Sequence, residues 1–195
     1  MTEAYLTFYK ILRPIVSLLY PLKVTGLESV PEGAAIVCAP HSSYVDAVLL
    51  AYALGKKHIL RFMAKAELFS VPVIGWVMRK CGAFAVNRSG PDINAIRTAI
   101  KYLKSGEKVM IFPEGTRVAA DDAVAAKSGA VRLALKVGVP IVPVYLPRKK
   151  KLFSRVHVHI GEPFSIGAAD KTNPDYSKLA ELLMSRIYAL KPEEV

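Results

Sequence analysis

The chain is short of cysteine, tryptophan and acid: 195 residues hold two Cys, one Trp and 16 Asp plus Glu. Cys38 and Cys81 stand alone, so they build neither a disulfide framework nor a zinc module, and they fit a reducing compartment. Long apolar runs are missing too. The greasy stretch over residues 4–22 is cut by Lys10 and Arg13 and contains Pro14, which stops it short of the ~20 apolar residues of a bilayer span. Its charges lie inside the apolar run rather than before it, and no small-residue cleavage site follows, unlike a secretory signal. There is no Gly-x-Ser-x-Gly elbow, which argues against a serine hydrolase. Repeats, low-complexity tracts and long linkers are absent, leaving one domain. The shortage of acid leaves 27 Lys plus Arg, a formal charge of +11 and a pI near 9.7. Such a field attracts anionic lipid, nucleic acid or acidic carrier proteins, but no nucleic-acid motif is recognisable.

What is present concentrates at two strand ends. Residues 34–39 form a short apolar run that reads as a buried strand ended by Pro40, and Ser42 and Ser43 suit the N-cap of a helix from Tyr44 to Leu54. His41 then lies on the connecting loop and Asp46 in the first helical turn, a His-x4-Asp spacing that lets the carboxylate hold one ring nitrogen while the other takes a proton. A structural capping histidine would have the same spacing. Lys108–Phe112 is a second strand pattern that runs into Pro113-Glu-Gly-Thr-Arg117. Gly115 permits close approach, Thr116 brings a hydroxyl and Arg117 a planar fork, which together suit an anion; the bland alternative is a tight turn with a solvated arginine. In an alternating α/β domain both loops fall at the carboxyl ends of strands, where ligands gather.

These segments resemble, in order, four blocks of the glycerolipid acyltransferase family, in particular its short bacterial 1-acylglycerol-3-phosphate acyltransferases of PlsC type. His41 to Asp46 matches the first, Gly82–Arg88 the second, Phe112–Arg117 the third and Val139–Val144 the fourth, and the similarity extends over roughly residues 24–165. The sequence departs from the family pattern at Pro40, Asn87, Val118 and Ala126. The resemblance implies transfer of an acyl group from acyl-carrier protein or acyl-CoA to the sn-2 hydroxyl of lysophosphatidic acid, giving phosphatidic acid. Neither a metal nor a resident cofactor is expected. His41 would be the base and Asp46 its orienter. Arg88, Arg117 and Lys127 would hold the phosphate, Gly115 and Thr116 shape the loop, and Glu114 orients Arg117 or the glycerol. Glycerol 3-phosphate or another lysolipid as acceptor, and a noncatalytic basic lipid-binding module, remain open alternatives.

The expected architecture is a single α/β domain (23–195) with a mixed, mainly parallel sheet flanked by helices, preceded by an amphipathic segment (1–22) that associates with a membrane or packs on the domain's own core. Pro14 should kink or break that segment. Further strands are expected near 23–24 and at 58–63, 141–146 and 156–160. Helices are expected after Asp92, with Ile93, Ile96, Ile100 and Leu103 on one face, and at 128–137 and 176–190. Leu68–Met78 is too short to span a bilayer, and core packing is the default for its side chains, a membrane-dipping or acyl-tunnel role the alternative. Arg148–Lys151 with Arg155 reads as a solvated loop or a contact for membrane or carrier. Cys38 reads as core, whereas the Cys81 thiol could be acidified by nearby cations. His157 and His159 share a strand face without a third ligand and read as surface residues. The expected location is the cytoplasmic face of a membrane, against its anionic surface, with no nucleic-acid partner.

Overall fold

The computed structural model describes residues 2–87, 90, 92–118, 126–167 and 173–192. One seven-stranded sheet organises the chain. Its strands are β1 (Leu22–Thr25), β2 (Ala35–Cys38), β3 (Leu60–Lys65), β4 (Phe84–Val86), β5 (Lys108–Ile111), β6 (Ile141–Tyr145) and β7 (Val156–Ile160), in the order β1-β7-β6-β2-β5-β3-β4. All neighbours are parallel except β6 and β7, so the sheet is mixed and mainly parallel. The strand expected at 58–63 begins two residues later, and β4 lies in a segment where no strand was read.

Central strands buried on both faces read as continuous apolar runs rather than alternating ones. In β2 the alternation survives only as a choice of core. Ala35 and Val37 face one apolar layer with Leu49, Leu50 and Leu54 of α2 (Val45–Leu54), while Ile36 and Cys38 face a second layer. That second layer is made by α4 (Ile93–Lys104), α5 (Gly129–Val137) and α6 (Tyr176–Tyr188). Burying Leu49, Leu50 and Leu54 contributes roughly 1.5–3 kcal/mol each.

Helix α1 (Thr2–Leu19) continues through Pro14, so of the expected kink or break the break does not occur. Tyr5 and Tyr9 turn inward against Ala51, and Tyr52 Oη donates to the Tyr9 carbonyl at 3.0 Å. Ile11, Leu12, Ile15 and Leu18 stay exposed, so the helix has one apolar face on the domain and another on solvent. The stretch around α3 (Pro72–Lys80) also departs from the expected core role. Val71, Val73, Ile74 and Trp76 are exposed and only Gly75 of the helix is buried, because a Cβ there would meet the Phe69 backbone. On α4 the buried stripe is Ala95, Ala99 and Leu103; Ile93 and Ile96 point outward, since the small residues set the close approach to the sheet.

Candidate active site

The carboxyl ends of β2, β5 and β6 are adjacent, and three loops converge there. After β2, the chain places His41 and then starts α2. Neither Ser42 nor Ser43 caps that helix; the cap position is Tyr44, with no side-chain cap. The local logic is reversed, because Asp46 reaches back and accepts the amides of Ser42 (2.6 Å) and Ser43 (2.8 Å) on Oδ2 and the Ser43 hydroxyl (2.9 Å) on Oδ1. The same Oδ2 lies 3.0 Å from His41 Nδ1. This arrangement favours a proton on Nδ1 and leaves Nε2 as the basic nitrogen. Asp46 is 0 % exposed, and burial works against its charge. The hydrogen bonds from His41, Lys150 and the Ser43 amide, with the charge of Lys150, outweigh that and hold the carboxyl well below the usual range.

The loop after β5 closes over the same imidazole. Phe112 stacks on the His41 ring with centroids 3.9 Å apart. Glu114, expected to orient Arg117 or the glycerol, is instead turned inward at 2 % exposure. Its Oε2 accepts the His41 amide at 2.8 Å and its Oε1 is ion-paired with Arg148, so it braces the loop that carries His41 from behind. Gly115 has φ 68°, and a Cβ there would sit 2.7 Å from Lys127 Cδ; the glycine lets the Lys127 stem cross the loop. Thr116 and Arg117 are exposed, with the Arg117 guanidinium 3.8 Å above the Tyr44 ring. The structure therefore brings His41, Asp46, Glu114, Gly115, Thr116, Arg117 and Lys127 to one rim. Arg88 lies outside the described residues.

The loop after β6 supplies what the sequence reading missed. Two of the five cations expected to be solvated or to contact a membrane or carrier are turned into the site. Arg148 pairs with Glu114 and Tyr188 and donates to the Val118 carbonyl at 2.8 Å and the His41 carbonyl at 3.3 Å. Burial opposes its charge, but Glu114 and Tyr188 more than compensate and raise its pKa further. Lys150 lies 2.7 Å from Asp46 Oδ1. The rule that ligands gather at strand ends, applied to β6 as well as to β2 and β5, was the signal available for both.

Elsewhere, His157 and His159 rings stack at 6.3 Å, with Thr25 Oγ1 2.9 Å from His159 Nδ1. Among the described residues no cluster of three or more potential metal ligands occurs. Burial pushes the Cys81 thiol up, outweighing Arg61, so it is not acidified as expected. Cys38 is core, its thiol likewise pushed up by burial.

An imidazole held by a buried carboxylate, at the strand ends of a mainly parallel α/β sheet and beside a loop suited to an anion, is an arrangement that suits general-base chemistry of the transferase or hydrolase kind. The comparisons decide between them. A family model described as Acyltransferase matches residues 21–147, about two thirds of the chain, and the chain belongs to that family. It is 39% identical over 158 residues to the 1-acyl-sn-glycerol-3-phosphate acyltransferase of Bacillus subtilis, spanning 78% of both proteins. It is 37% identical over 146 residues to that of Streptococcus pneumoniae, covering 72% of this chain and 53% of the other. The fold matches the crystal structure of the 1-acyl-sn-glycerophosphate (LPA) acyltransferase PlsC from Thermotoga maritima, with a TM-score of 0.68, 25% identity and coverage of 98% of this chain and 81% of that one.

Proposed function

We propose that the protein transfers a fatty acyl group from a thioester, carried by acyl-carrier protein or coenzyme A, to the sn-2 hydroxyl of 1-acylglycerol 3-phosphate. The observation that carries this reading is the His41–Asp46 contact at 3.0 Å. Its support is the activity for which relatives sharing most of the chain are named. His41 Nε2 takes the hydroxyl proton as the oxygen attacks the thioester carbonyl carbon. The tetrahedral adduct collapses with cleavage of the C–S bond, and the imidazolium returns its proton to the departing thiolate. Phosphatidic acid and a free thiol result, with no acyl-enzyme. Base catalysis of this kind supplies ~10² to 10⁴ in rate, and positioning must supply much of the remainder. Arg117 and Lys127, together with Arg88, hold the phosphate. A cleft of about 630 Å³, lined by Met63, Val86, Ile96, Ile111, Leu133 and Tyr176 among others, suits the acyl chain. The cleft lies on the α4–α5–α6 side of the sheet with Ile111, whereas Phe112, the next residue, packs with the α2 layer and stacks on His41.

Mass-spectrometric detection of diacyl product tests this, with 1-acylglycerol 3-phosphate, glycerol 3-phosphate and other lysolipids as acceptors and both thioesters as donors. Wild type should make phosphatidic acid. His41→Ala should lose at least ~100-fold, Arg117→Ala should chiefly raise KM for phosphate-bearing acceptors, and Ile96→Trp should favour shorter acyl chains. Product from glycerol 3-phosphate or another lysolipid alone would reassign the acceptor, free fatty acid alone would mean hydrolysis, and full activity in His41→Ala would remove the proposed base. Lipid binding without turnover of either thioester would leave a noncatalytic lipid-binding module.

We further propose that the protein works at the cytoplasmic surface of an anionic membrane. Among the described residues no helix is long and apolar enough to cross one. The exposed apolar side of α1 continues through the Phe8–Trp76 edge contact, 5.8 Å between centroids, onto the exposed side chains of α3. Leu152 and Phe153 extend it, because the Phe153 amide donates to the Leu19 carbonyl at 2.7 Å, and the exposed cations Lys149, Lys151 and Arg155 flank this tip. Apolar side chains ringed by cations complement an anionic bilayer surface. Trp76 is the one tryptophan, so its emission should shift to the blue on adding vesicles containing phosphatidylglycerol and much less with purely zwitterionic ones. No shift and no co-flotation with either would overturn the membrane assignment.

A further inference from the structure

Lys150 is a lysine taken out of water and held by four oxygens. Its side chain is 3 % exposed. Its Nζ contacts Asp46 Oδ1 at 2.7 Å, Ser42 Oγ at 2.9 Å, and the carbonyls of Pro147 and Arg148 at 2.7 and 3.2 Å. Desolvating an ammonium is expensive, and such an ion persists where an anion and several dipoles compensate it. The surrounding loop offered a ready alternative, since Lys149 and Lys151 on either side of it stay in solvent.

We propose that Lys150 is a positioning residue for acyl transfer, clamping the outer oxygen of Asp46 and balancing its charge so that His41 rests as the neutral base. This rests on the acyl-transfer reading given above. A buried aspartate alone favours the imidazolium, the form that cannot accept the substrate's proton. With Lys150 in place the resting group of imidazole, carboxylate and ammonium is neutral as a whole. The carboxylate keeps a fixed orientation, because Oδ2 is occupied by the two loop amides and the imidazole, and Oδ1 by Ser43 Oγ and Lys150.

The other charged and titratable groups around His41 leave this balance to Asp46 and Lys150. From the loop after β5, Glu114 accepts the His41 amide; from the loop after β6, Arg148 donates to the His41 carbonyl; these two are paired with each other, with Tyr188 of α6 against both. Arg117 over Tyr44 and Lys127 beside Gly115 lie on the exposed side of the rim, where water screens them.

The test is the pH dependence of kcat/KM for wild type, Lys150→Arg and Lys150→Met, with 1-acylglycerol 3-phosphate and an acyl thioester. Lys150→Met, which keeps the apolar stem and removes the charge, should move the acid limb upward by about one pH unit. Its activity would then be about tenfold low on the acid limb and recover on the alkaline side. Lys150→Arg, which keeps the charge, should leave the limb where wild type has it. An equal loss at every pH, with the limb unmoved in Lys150→Met, would overturn the proposal in favour of a purely structural role. NMR of the His41 ring nitrogens in wild type and both variants supplies a readout independent of turnover. Wild type should show the neutral ring protonated on Nδ1 at pH 7, and an imidazolium there overturns the proposal. Wild type inactive toward every acceptor defeats the acyl-transfer reading, while a His41 ring titration that runs higher in Lys150→Met than in wild type and Lys150→Arg still supports control by Lys150, and an unmoved one overturns it.

Discussion

Both ends of the sheet bury charge, and they do so differently. At the amino ends of β2, β3 and β5, Arg61 pairs with Glu107, Lys108 Nζ donates to the carbonyls of Gly33 (2.9 Å) and Glu32 (3.2 Å), and His58 is buried with no hydrogen-bond partner for Nδ1 among the described residues. At the carboxyl ends, two carboxylates that are essentially sealed, Asp46 and Glu114, are each matched to a buried cation, and His41 joins them, its ring to Asp46 and its backbone amide to Glu114. The amino-end charges are relieved by backbone carbonyls and by a partner still in contact with water, as Glu107 is 30 % exposed. Burial of charge alone therefore does not mark a catalytic site. What sets the carboxyl end apart is a closed, mutually compensated network built around one group that can exchange a proton.

The largest effect should come from opening that closed network. Arg148→Met strands Glu114 in the interior and removes the donor to the His41 carbonyl, so it should cost about 3–5 kcal/mol in urea unfolding. Arg61→Met is the matched change at the other end, and because Glu107 can hydrate, its cost should be smaller, about 1–2 kcal/mol. Adding Glu114→Gln to Arg148→Met should recover part of the loss, since no uncompensated charge stays buried. Equal costs for the two single variants would erase the distinction between the ends.

The same contrast explains what could be read from the sequence. His41, Asp46 and the 113–117 loop were legible because each follows an apolar run that can only be a buried strand, and strand ends are where a parallel sheet binds ligands. Arg148 and Lys150 were illegible, although they too follow such a strand. Four cations in a row look solvated until the neighbours are known, and the placement of β6 beside β2 is a matter of strand order, which local pattern does not encode. The pairing of Glu114 with Arg117 was misread for the same reason: Arg117 is near in sequence, but the partner in space is Arg148, 34 residues away. The α4 face was misread because the helix packs through Ala95 and Ala99, where small size rather than hydrophobicity sets the contact. On α3, the apolar residues face solvent, and periodicity alone cannot name an apolar partner.

The smallest effect, and the sharpest check on the amino end, concerns Lys108. Burial holds its pKa below the ordinary lysine value, outweighing the attraction of Glu32, so folding disfavours its charged form. That penalty is fully present below the folded-state pKa and is relieved as pH rises from there toward the unfolded value of about 10.4. Lys108→Met removes the penalty but leaves the Glu32 and Gly33 carbonyls without their donor, so at neutral pH the two effects should leave stability within about 1 kcal/mol of wild type. The distinguishing sign lies in the alkaline range. Measured by thermal melting, wild type should gain on Lys108→Met as pH rises toward 10, because only wild type has a buried ammonium to discharge. Acyl transfer at neutral pH should be unchanged, since no part of the His41 network reaches this rim. A variant as inactive as Lys150→Met would instead show that the two ends of the sheet are electrostatically one site.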